Sequence, residues 1–448
     1  MKKTIILMLL TFAVSANAQT TTQKSYSFSL DEAINHAVVN NYSAINASRD
    51  VKAAQQKKWE TTAAGLPQIN AGLDYGNNFV FTQQGVTGGG PFGGSPGEVS
   101  TFVFGTKHTM NAHATLSQMI FDGSYIVAIQ ASKTYMEYFK NAQQKTTVEV
   151  KEMVINSYGN VLLAEESILI LEKNKSVLEK TLFETNEIFK NGLIEEENVE
   201  QLQITLSTIN SSLNNTKRLK DIALKMLKIN LGIEIDDELK LTDKLDNLAK
   251  NNLNLALAQG EFNIVNNVDY KQGKNFQDQR RLELKLLKSR SLPSLGANVN
   301  FGYNAFENEF RFFNADQKWN NYSNLGVGLN VPVFNSFGQR AKVQQAKIAY
   351  DQAKTKLTEA EQKIILQYQN AKSQYEFSIE QYETSKTNLA LAERIEKKQQ
   401  IKFTEGLSTS FEFSEAQRQL YAAQQNYLQS MVDVITKKAT LEKVIGSK

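Results

Sequence analysis

Few residues in this chain could carry out catalysis or hold a metal ion. It contains three histidines and no cysteine, which removes thiolate metal sites, disulfides and a cysteine nucleophile. His108 and His113 lie in a segment that alternates like a strand, five residues apart, so their side chains face opposite sides and cannot share a metal. His36 stands alone in a predicted helix, and Walker, Gly-x-Ser-x-Gly and His-Glu-x-x-His patterns are absent from the sequence. We therefore expect no cofactor, no metal and no enzymatic activity.

A glycine-rich stretch, VTGGGPFGGSPGE, formally contains the dinucleotide-binding spacing Gly88-x-Gly90-x-x-Gly93. Pro91 and Pro96 oppose the helix that this motif requires, and no acidic residue about 20 positions later opens a second strand. We interpret the stretch as an external loop between two strands.

Acidic residues follow a Gly-Leu pair at two points in the chain. The first stretch is NGLIEEENVEQLQITL, with Gly192, and the second is EGLSTSFEFSEAQRQL, with Gly406 214 residues later. Each glycine interrupts a helical pattern, and it can take the left-handed conformation that ends one helix and lets the next run back. The acids at 195–197, and Glu412 with Glu415, fall near the start of the returning helix, where the helix dipole favours negative charge. One interpretation is a solvated helix cap, and TSFE has the capping-box pattern.

These two stretches belong to an internal duplication. The Leu-Pro of GLPQINAGLDYG returns in SLPSLGANVNFGYN, SQMIFDGS returns as NVPVFNSF, and residues 189–232 align with 403–446 without a gap. Each half has the pattern of helix, strand, loop, strand, long helix, glycine turn and helix. We predict a first structural repeat at 19–250 and a second at 251–448, which together form one intertwined domain.

Four segments alternate between apolar and polar residues with the period of a strand. They cover about 68–81, 102–120, 294–306 and 320–334. A soluble hairpin packed on helices would show the same alternation. Three features favour membrane strands: their length, against roughly 9–11 residues for a membrane strand, the aromatic residues gathered at one end, and the predicted export of the chain. Four strands cannot close a barrel, so the chain must oligomerise, and an open pore favours twelve strands or more.

The first eighteen residues, MKKTIILMLLTFAVSANA, have the layout of a secretory signal peptide, and we expect the mature chain to begin at Gln19. Removing Lys2 and Lys3 lowers the formal charge from +3 to +1, which gives no support for nucleic acid as a partner. No later segment approaches the roughly 18 apolar residues of a membrane helix, so we expect membrane insertion to use strands.

Long helices are predicted where proline is absent. The stretches 123–189 and 337–402 would form helices of up to roughly 100 Å, at about 1.5 Å per residue. Apolar or small residues in the second recur with the heptad spacing that packs one helix against another. Partner helices are expected at 195–231 and 410–445, and a further helix at 30–64. An inert coiled-coil stalk would explain these helices but not the strands.

At this point the sequence resembles the TolC-like outer-membrane efflux proteins. The resemblance rests on SLDEAINHAVVNNYSAINAS, on LPQINAGLDYG and LPSLGANVNFGY, and above all on VPVFNSFGQRAKVQQAKIAYDQAKTKL, and it covers about 28–446. It implies a mixed, mainly α fold, in which a trimer forms a twelve-stranded outer-membrane β-barrel that continues into a twelve-helix coiled-coil tunnel through the periplasm of a Gram-negative cell. It also implies that the homotrimer docks a periplasmic adaptor protein coupled to an inner-membrane RND, ABC or MFS pump. The strand-to-helix junctions fall at Phe121, Pro332 and Phe334.

Roles for individual residues follow from the same resemblance. Two Gly-Leu pairs match the tips that contact the adaptor: Gly192 with Leu193, and Gly406 with Leu407. Glu412 and Glu415 match the two carboxylates of the periplasmic constriction, so three copies would place six carboxylates around one axis. Glu197 and Asn198, at the other tip, match the polar pair expected there and are also assigned to the periplasmic gate. Ser408 stands where the family often has an arginine that ties the closed tips together.

The resemblance therefore favours a passive outer-membrane duct for efflux or type I secretion, gated at its periplasmic tip. Two other classes stay open on the residues alone. One is an oligomeric coiled-coil surface or adhesion protein, and the other is an envelope enzyme on a helical scaffold.

Overall fold

The structure, a computed structural model, describes residues 24–88, 95–254 and 256–446. The predicted signal peptide at 1–18 and part of the glycine-rich loop lie outside the described residues. The first half of the chain contains β1 Ser25–Phe28, α1 Leu30–Asn40, α2 Tyr42–Ala63, β2 Gln68–Asn77, β3 Gln83–Thr87, β4 Val99–Val103, β5 His108–Asp122, α3 Gly123–Lys190 and α4 Glu196–Leu231. The second half contains β6 Glu238–Leu241, α5 Leu245–Asn251, α6 Ala256–Gln259, a 3-10 turn Ile264–Asn266, α7 Val268–Ser289, β7 Ser294–Glu307, β8 Asn320–Asn330, α8 Gly338–Thr404 and α9 Ser410–Ile445.

Contacts divide the described chain into two compact units. The helical unit contains residues 24–49, 141–271 and 359–446. The sheet unit contains residues 50–140 and 272–358. Each unit takes segments from both halves of the chain, so the limits of the predicted repeats do not coincide with the limits of the units.

The sheet unit is built on four antiparallel strands in the order β2–β5–β7–β8. One row across all four strands consists of Ile69, Leu116, Val299 and Leu325. Ile69 is 72% exposed and Leu325 71% exposed, and they lie on the same face of the sheet. Because large apolar side chains in water are unfavourable, this face requires an apolar environment outside the single chain.

The strand bounds differ from the sequence prediction at several ends. β2 ends at Asn77 rather than near 81, and the segment predicted at 102–120 is divided between β4 and β5. β4 pairs with β3 in a separate two-stranded sheet, and Gly105, with φ 111°, interrupts the extended backbone before β5 begins. β8 ends at Asn330 rather than near 334, two residues before Pro332, which has no N–H to donate to a ladder.

Buried residues from all four long helices form the core of the helical unit. Val154 and Tyr158 of α3 pack in one cluster with Leu227 of α4, Tyr375 of α8 and Val434 of α9. The hydroxyl of Tyr158 lies 3.0 Å from a carboxylate oxygen of the β6–α5 connection, and burial raises the pKa of that hydroxyl. These contacts join the two helical hairpins of one chain.

The helix predicted at 30–64 is broken at Asn41, where the backbone is extended, with ψ 137°. The Asn41 side chain donates from Nδ2 to the carbonyl of Asn230 at 2.7 Å. The same arrangement recurs before α7, where Nδ2 of Asn267 donates to the carbonyl of Val444 at 2.8 Å. The acceptors lie 189 and 177 residues along the chain, so a local pattern could not reveal this break.

Two glycines end the returning helices at these contacts. Gly232 and Gly446 have φ 74° and 75°. A Cβ on Gly232 would lie 2.1 Å from the Asn40 carbonyl oxygen, and a Cβ on Gly446 would lie 2.4 Å from that of Asn266. Both positions therefore require glycine for conformation and for space, and the two positions have the same local geometry.

One helix in the described part of the chain, α3, contains an 18-residue window that is long and apolar enough to cross a membrane. The sequence-based statement that no segment after the signal peptide approaches this composition was therefore wrong. Of this apolar stretch, 44% is buried inside the described structure. The α3 residues Val150, Val154 and Val161 lie in the core of the helical unit, where apolar composition serves packing.

Candidate functional site at the helix tips

The two Gly-Leu pairs have the same backbone geometry. Gly192 has φ 75° and Gly406 has φ 70°. At the first turn, the Gly192 N–H donates to the Phe189 carbonyl at 2.8 Å. The Leu193 N–H donates to the Ile188 carbonyl, five residues earlier, at 3.3 Å. At the second turn, the Gly406 N–H donates to the Phe403 carbonyl at 3.1 Å, and the Leu407 N–H donates to the Lys402 carbonyl at 2.8 Å. This pair of bonds is a Schellman motif, which ends a helix and reverses the chain.

The leucines after these glycines are exposed. Leu193 is 75% exposed and Leu407 is 77% exposed. A Cβ added at Gly192 or Gly406 would meet none of the described atoms within 4 Å. The tip glycines are therefore needed for their positive φ and not for space, unlike Gly232. Each tip presents one apolar side chain at the end of a helical hairpin.

At the second tip, Glu412 is held by hydrogen bonds within its own chain. Thr409 is the N-cap of α9, and the capping box predicted from TSFE is formed with Glu412. The Glu412 carboxylate also accepts a hydrogen bond from the hydroxyl of Ser408 at 2.8 Å. Gln399 of α8 donates to the same hydroxyl. These hydrogen bonds, first that from Ser408 and then that from the Thr409 N–H, lower the pKa of the exposed Glu412 carboxyl.

Glu415 lies three residues further along α9 and pairs with Arg418. Its side chain is 44% exposed and Glu412 is exposed, so both carboxylates reach solvent from one stretch of helix. The structure thus shows an exposed cap and an exposed ion pair in one chain. It also leaves both side chains accessible to a neighbouring copy.

At the first tip, the acids and Asn198 behave differently. Residues 195–197 are exposed, and Glu195 is an N-cap whose side chain makes no cap hydrogen bond within the described structure. Asn198 is half-buried, and its Oδ1 accepts a hydrogen bond from the Ser410 N–H at 3.4 Å. Asn198 therefore connects the first turn of α4 with the first turn of α9. Sequence reasoning missed this contact, because the two residues are 212 positions apart.

The predicted junction residues lie where the strands of the sheet unit give way to the long helices. Phe121 is the penultimate residue of β5, and α3 follows directly. Pro332 and Phe334 lie in the connection between β8 and α8. Phe334 is 75% exposed and meets Phe337 edge to face at 5.8 Å between ring centroids. Phe337 has φ 62°, a left-handed value that is strained for a bulky side chain.

Buried polar groups lie below the second tip, and sequence reasoning did not identify them. Gln417 and Ser414 of α9 are 1% and 0% exposed, and Oε1 of Gln417 and Oγ of Ser414 find no hydrogen-bond partner among the described residues. Glu396 of α8 faces Gln417, and burial raises the pKa of the Glu396 carboxyl. Burial, and then the charge of Glu396, raise the pKa of Tyr421. The carboxyl of Glu396 is therefore poorly solvated, between α8 and α9 of the second hairpin.

We expect Glu396→Gln to stabilise the protein at pH 8 but not at pH 4. A carboxyl whose pKa is raised by folding contributes stability that is full below its unfolded pKa, about 4.3 for glutamate, and that is lost as the pH rises through the folded value. The neutral amide removes this loss, so the unfolding temperature at pH 8 should rise by roughly 2 °C. Thermal unfolding at both pH values measures the effect, with the exposed Glu393→Gln on the same helix as the matched control. An equal shift at both pH values would contradict the assignment.

Part of the chain matches a known protein family, and most of it is similar to one characterised relative. Residues 264–447 match the family described as outer membrane efflux protein. The chain is 23% identical over 350 residues to outer membrane protein TolC of Vibrio cholerae, across 76% of this chain and 73% of that protein.

Solved structures share the fold at low sequence identity. The outer-membrane channel CmeC of Campylobacter jejuni aligns with a TM-score of 0.72 and 17% identity, over 93% of this chain and 85% of CmeC. CusC, whose structures describe transmembrane channel formation, aligns with a TM-score of 0.74 and 16% identity, over 96% of each chain. Paired long helices and a four-stranded sheet, together with these matches, show that the chain has the fold of the TolC-like outer-membrane channels.

Proposed function

We propose that three copies of this chain form the exit duct of a tripartite efflux or type I secretion system. The observation that carries the proposal is the four-stranded sheet, which exposes one apolar face and has β2 and β8 at its edges. Within the described residues neither edge pairs with a further strand. Joining β8 of one copy to β2 of the next would satisfy both edges, and three copies would supply twelve strands with the apolar face towards lipid.

The helical unit would form the periplasmic tunnel. A homotrimer has six helical hairpins, and each would present one exposed leucine, Leu193 or Leu407, to a periplasmic adaptor coupled to an RND, ABC or MFS pump. Glu412 and Glu415 would form the constriction, with Glu197 and Asn198 at the alternate tips. Phe121, Pro332 and Phe334 would mark the passage from strand to helix. We also propose that the repeats at 19–250 and 251–448 arose by duplication.

Single-channel recording of the purified protein in planar bilayers tests the duct. We expect discrete conductance steps from trimers, since a twelve-stranded barrel encloses an aqueous channel whereas a barrel of about eight strands is filled by its own side chains. Folded trimers that pass no ions under any condition would overturn the duct. Such a result would support the alternative that the protein has a structural role in the envelope.

A further inference from the structure

The polar face of the sheet contains a row in which two rings lie over two glycines. The row consists of Gly72, His113, Gly302 and Tyr322, one from each strand. A Cβ at Gly72 would lie 2.8 Å from the His113 ring, and a Cβ at Gly302 would lie 2.7 Å from the Tyr322 ring. The two glycines therefore leave the space that the rings occupy, and the rings lie along the wall of the sheet.

The next row on the same face supplies a carboxylate. Asp74 pairs in register with Asn111, and Asp74 Oδ2 lies 3.3 Å from Nδ1 of His113. The Tyr322 hydroxyl donates to the side-chain oxygen of Asn111 at 3.2 Å. His113 is 32% exposed and Asp74 72% exposed, so both groups are in contact with the solvent on this face. Asp74 and His113 are here called the wall pair.

The surroundings of the wall pair are uncharged. The row on the other side of the rings is neutral and consists of Asn70, Thr115, Asn300 and Asn324. In this row, Thr115 donates a hydrogen bond to Asn300, and Asn300 donates one to Asn324. The row of Asp74 continues with asparagines on β7 and β8. Across these three rows, the ionisable side chains are Asp74 of β2, His113 of β5 and Tyr322 of β8. Within this stretch of the wall, the charge is therefore set by one carboxylate and one imidazole in each chain.

We propose that the wall pair makes the ion selectivity of the barrel depend on pH, as a second selective element distinct from the helix tips. The inference rests on the proposed duct, because the polar face lines a lumen only in a closed barrel. With neutral histidines, three Asp74 carboxylates give the wall a net negative charge that favours cations. With protonated histidines, the imidazolium charges offset these carboxylates, and the preference for cations decreases. Histidine is the side chain whose charge ordinarily changes between pH 5 and 8.

His108 provides a matched control on the same strand. It faces the apolar side of the sheet, where its Nδ1 lies 2.8 Å from the Tyr75 hydroxyl, and it is 9% exposed. A change in its charge would therefore occur outside the lumen. The third histidine, His36, lies in the helical unit, where burial lowers its pKa.

The test measures reversal potentials in a KCl gradient at pH 8 and pH 5.5, with Glu412→Gln and Glu415→Gln present throughout to remove titration at the tips. The K⁺ to Cl⁻ permeability ratio should fall about twofold as the pH is lowered. His113→Asn should abolish that fall, Asp74→Asn should lower the ratio already at pH 8, and His108→Asn should leave the fall intact. A fall that persists in His113→Asn, or that disappears in His108→Asn, overturns the wall pair while the duct stands. Absence of current from all trimers would overturn the duct and the inference with it.

Discussion

Replacing Glu412 and Glu415 together with glutamine is expected to lower the cation selectivity of the channel about threefold and to weaken its block by multivalent cations. In the proposed trimer, six carboxylates would surround one axis at the narrowest part of the tunnel. Both side chains are accessible at the start of α9, so their charge can act on ions in solution. Reversal potentials and block by a trivalent cation in planar bilayers measure the two effects.

Glutamine is the informative substitution because Glu412 is also a helix cap. Its carboxylate accepts hydrogen bonds from the Thr409 N–H at 3.1 Å and from the Ser408 hydroxyl at 2.8 Å. An amide oxygen can still accept these bonds, so the helix start is retained while the charge is lost. Thr409→Ala is the complementary variant, since it removes the cap hydroxyl and keeps both charges.

The first tip supplies the matched control for charge. Glu195→Gln with Glu196→Gln also removes two exposed carboxylates per chain, and neither residue is one of the proposed constriction residues. We expect a smaller change in selectivity from this pair. Equal effects at both tips, or unchanged selectivity without Glu412 and Glu415, would leave these acids as solvated helix caps.

Periodic features of this fold could be predicted from the sequence, because each depends on neighbouring residues. The glycine tips, the capping box and the alternating faces of the strands are each defined by residues that lie only a few positions apart. The long helices were predicted at 123–189 and 337–402 and are observed as Gly123–Lys190 and Gly338–Thr404. The glycine tips, the strands and the long helices each occur in both halves of the chain, which supported their prediction.

Contacts between distant segments could not be predicted. The break at Asn41 depends on a carbonyl 189 residues away, and Asn198 meets Ser410 across 212 residues. Glu396 looked like one of many solvated helix carboxylates, and only the packing of α8 against α9 gives its pKa shift a cause. The separate hairpin of β3 and β4 was not predicted either. The alternation of apolar and polar residues at 102–120 looked continuous, but Gly105, with its positive φ, interrupts the extended backbone between β4 and β5.

Replacing both tip leucines with serine, Leu193→Ser with Leu407→Ser, is expected to reduce export about tenfold or more while trimers still assemble. Each leucine is about three-quarters exposed, so the folded chain loses little packing when it is removed. Burying a leucine against a partner contributes roughly 1.5–3 kcal/mol, and 1.4 kcal/mol corresponds to about a tenfold change in affinity. Efflux of a fluorescent substrate and crosslinking to the adaptor measure the loss.

Changing the backbone geometry at the second tip is a second way to weaken adaptor docking and export. Gly406→Leu forces a side chain into φ 70°, at a cost of roughly 1–2 kcal/mol, although the space around it is open. We expect the second turn to change shape and docking to weaken, with trimers intact.

Leu219→Ser, at a 52% exposed leucine of α4 away from the tip, is the matched control and should export normally. Normal adaptor crosslinking and export in the tip variants would show that docking uses another surface, whereas loss of trimers would place these leucines in assembly instead.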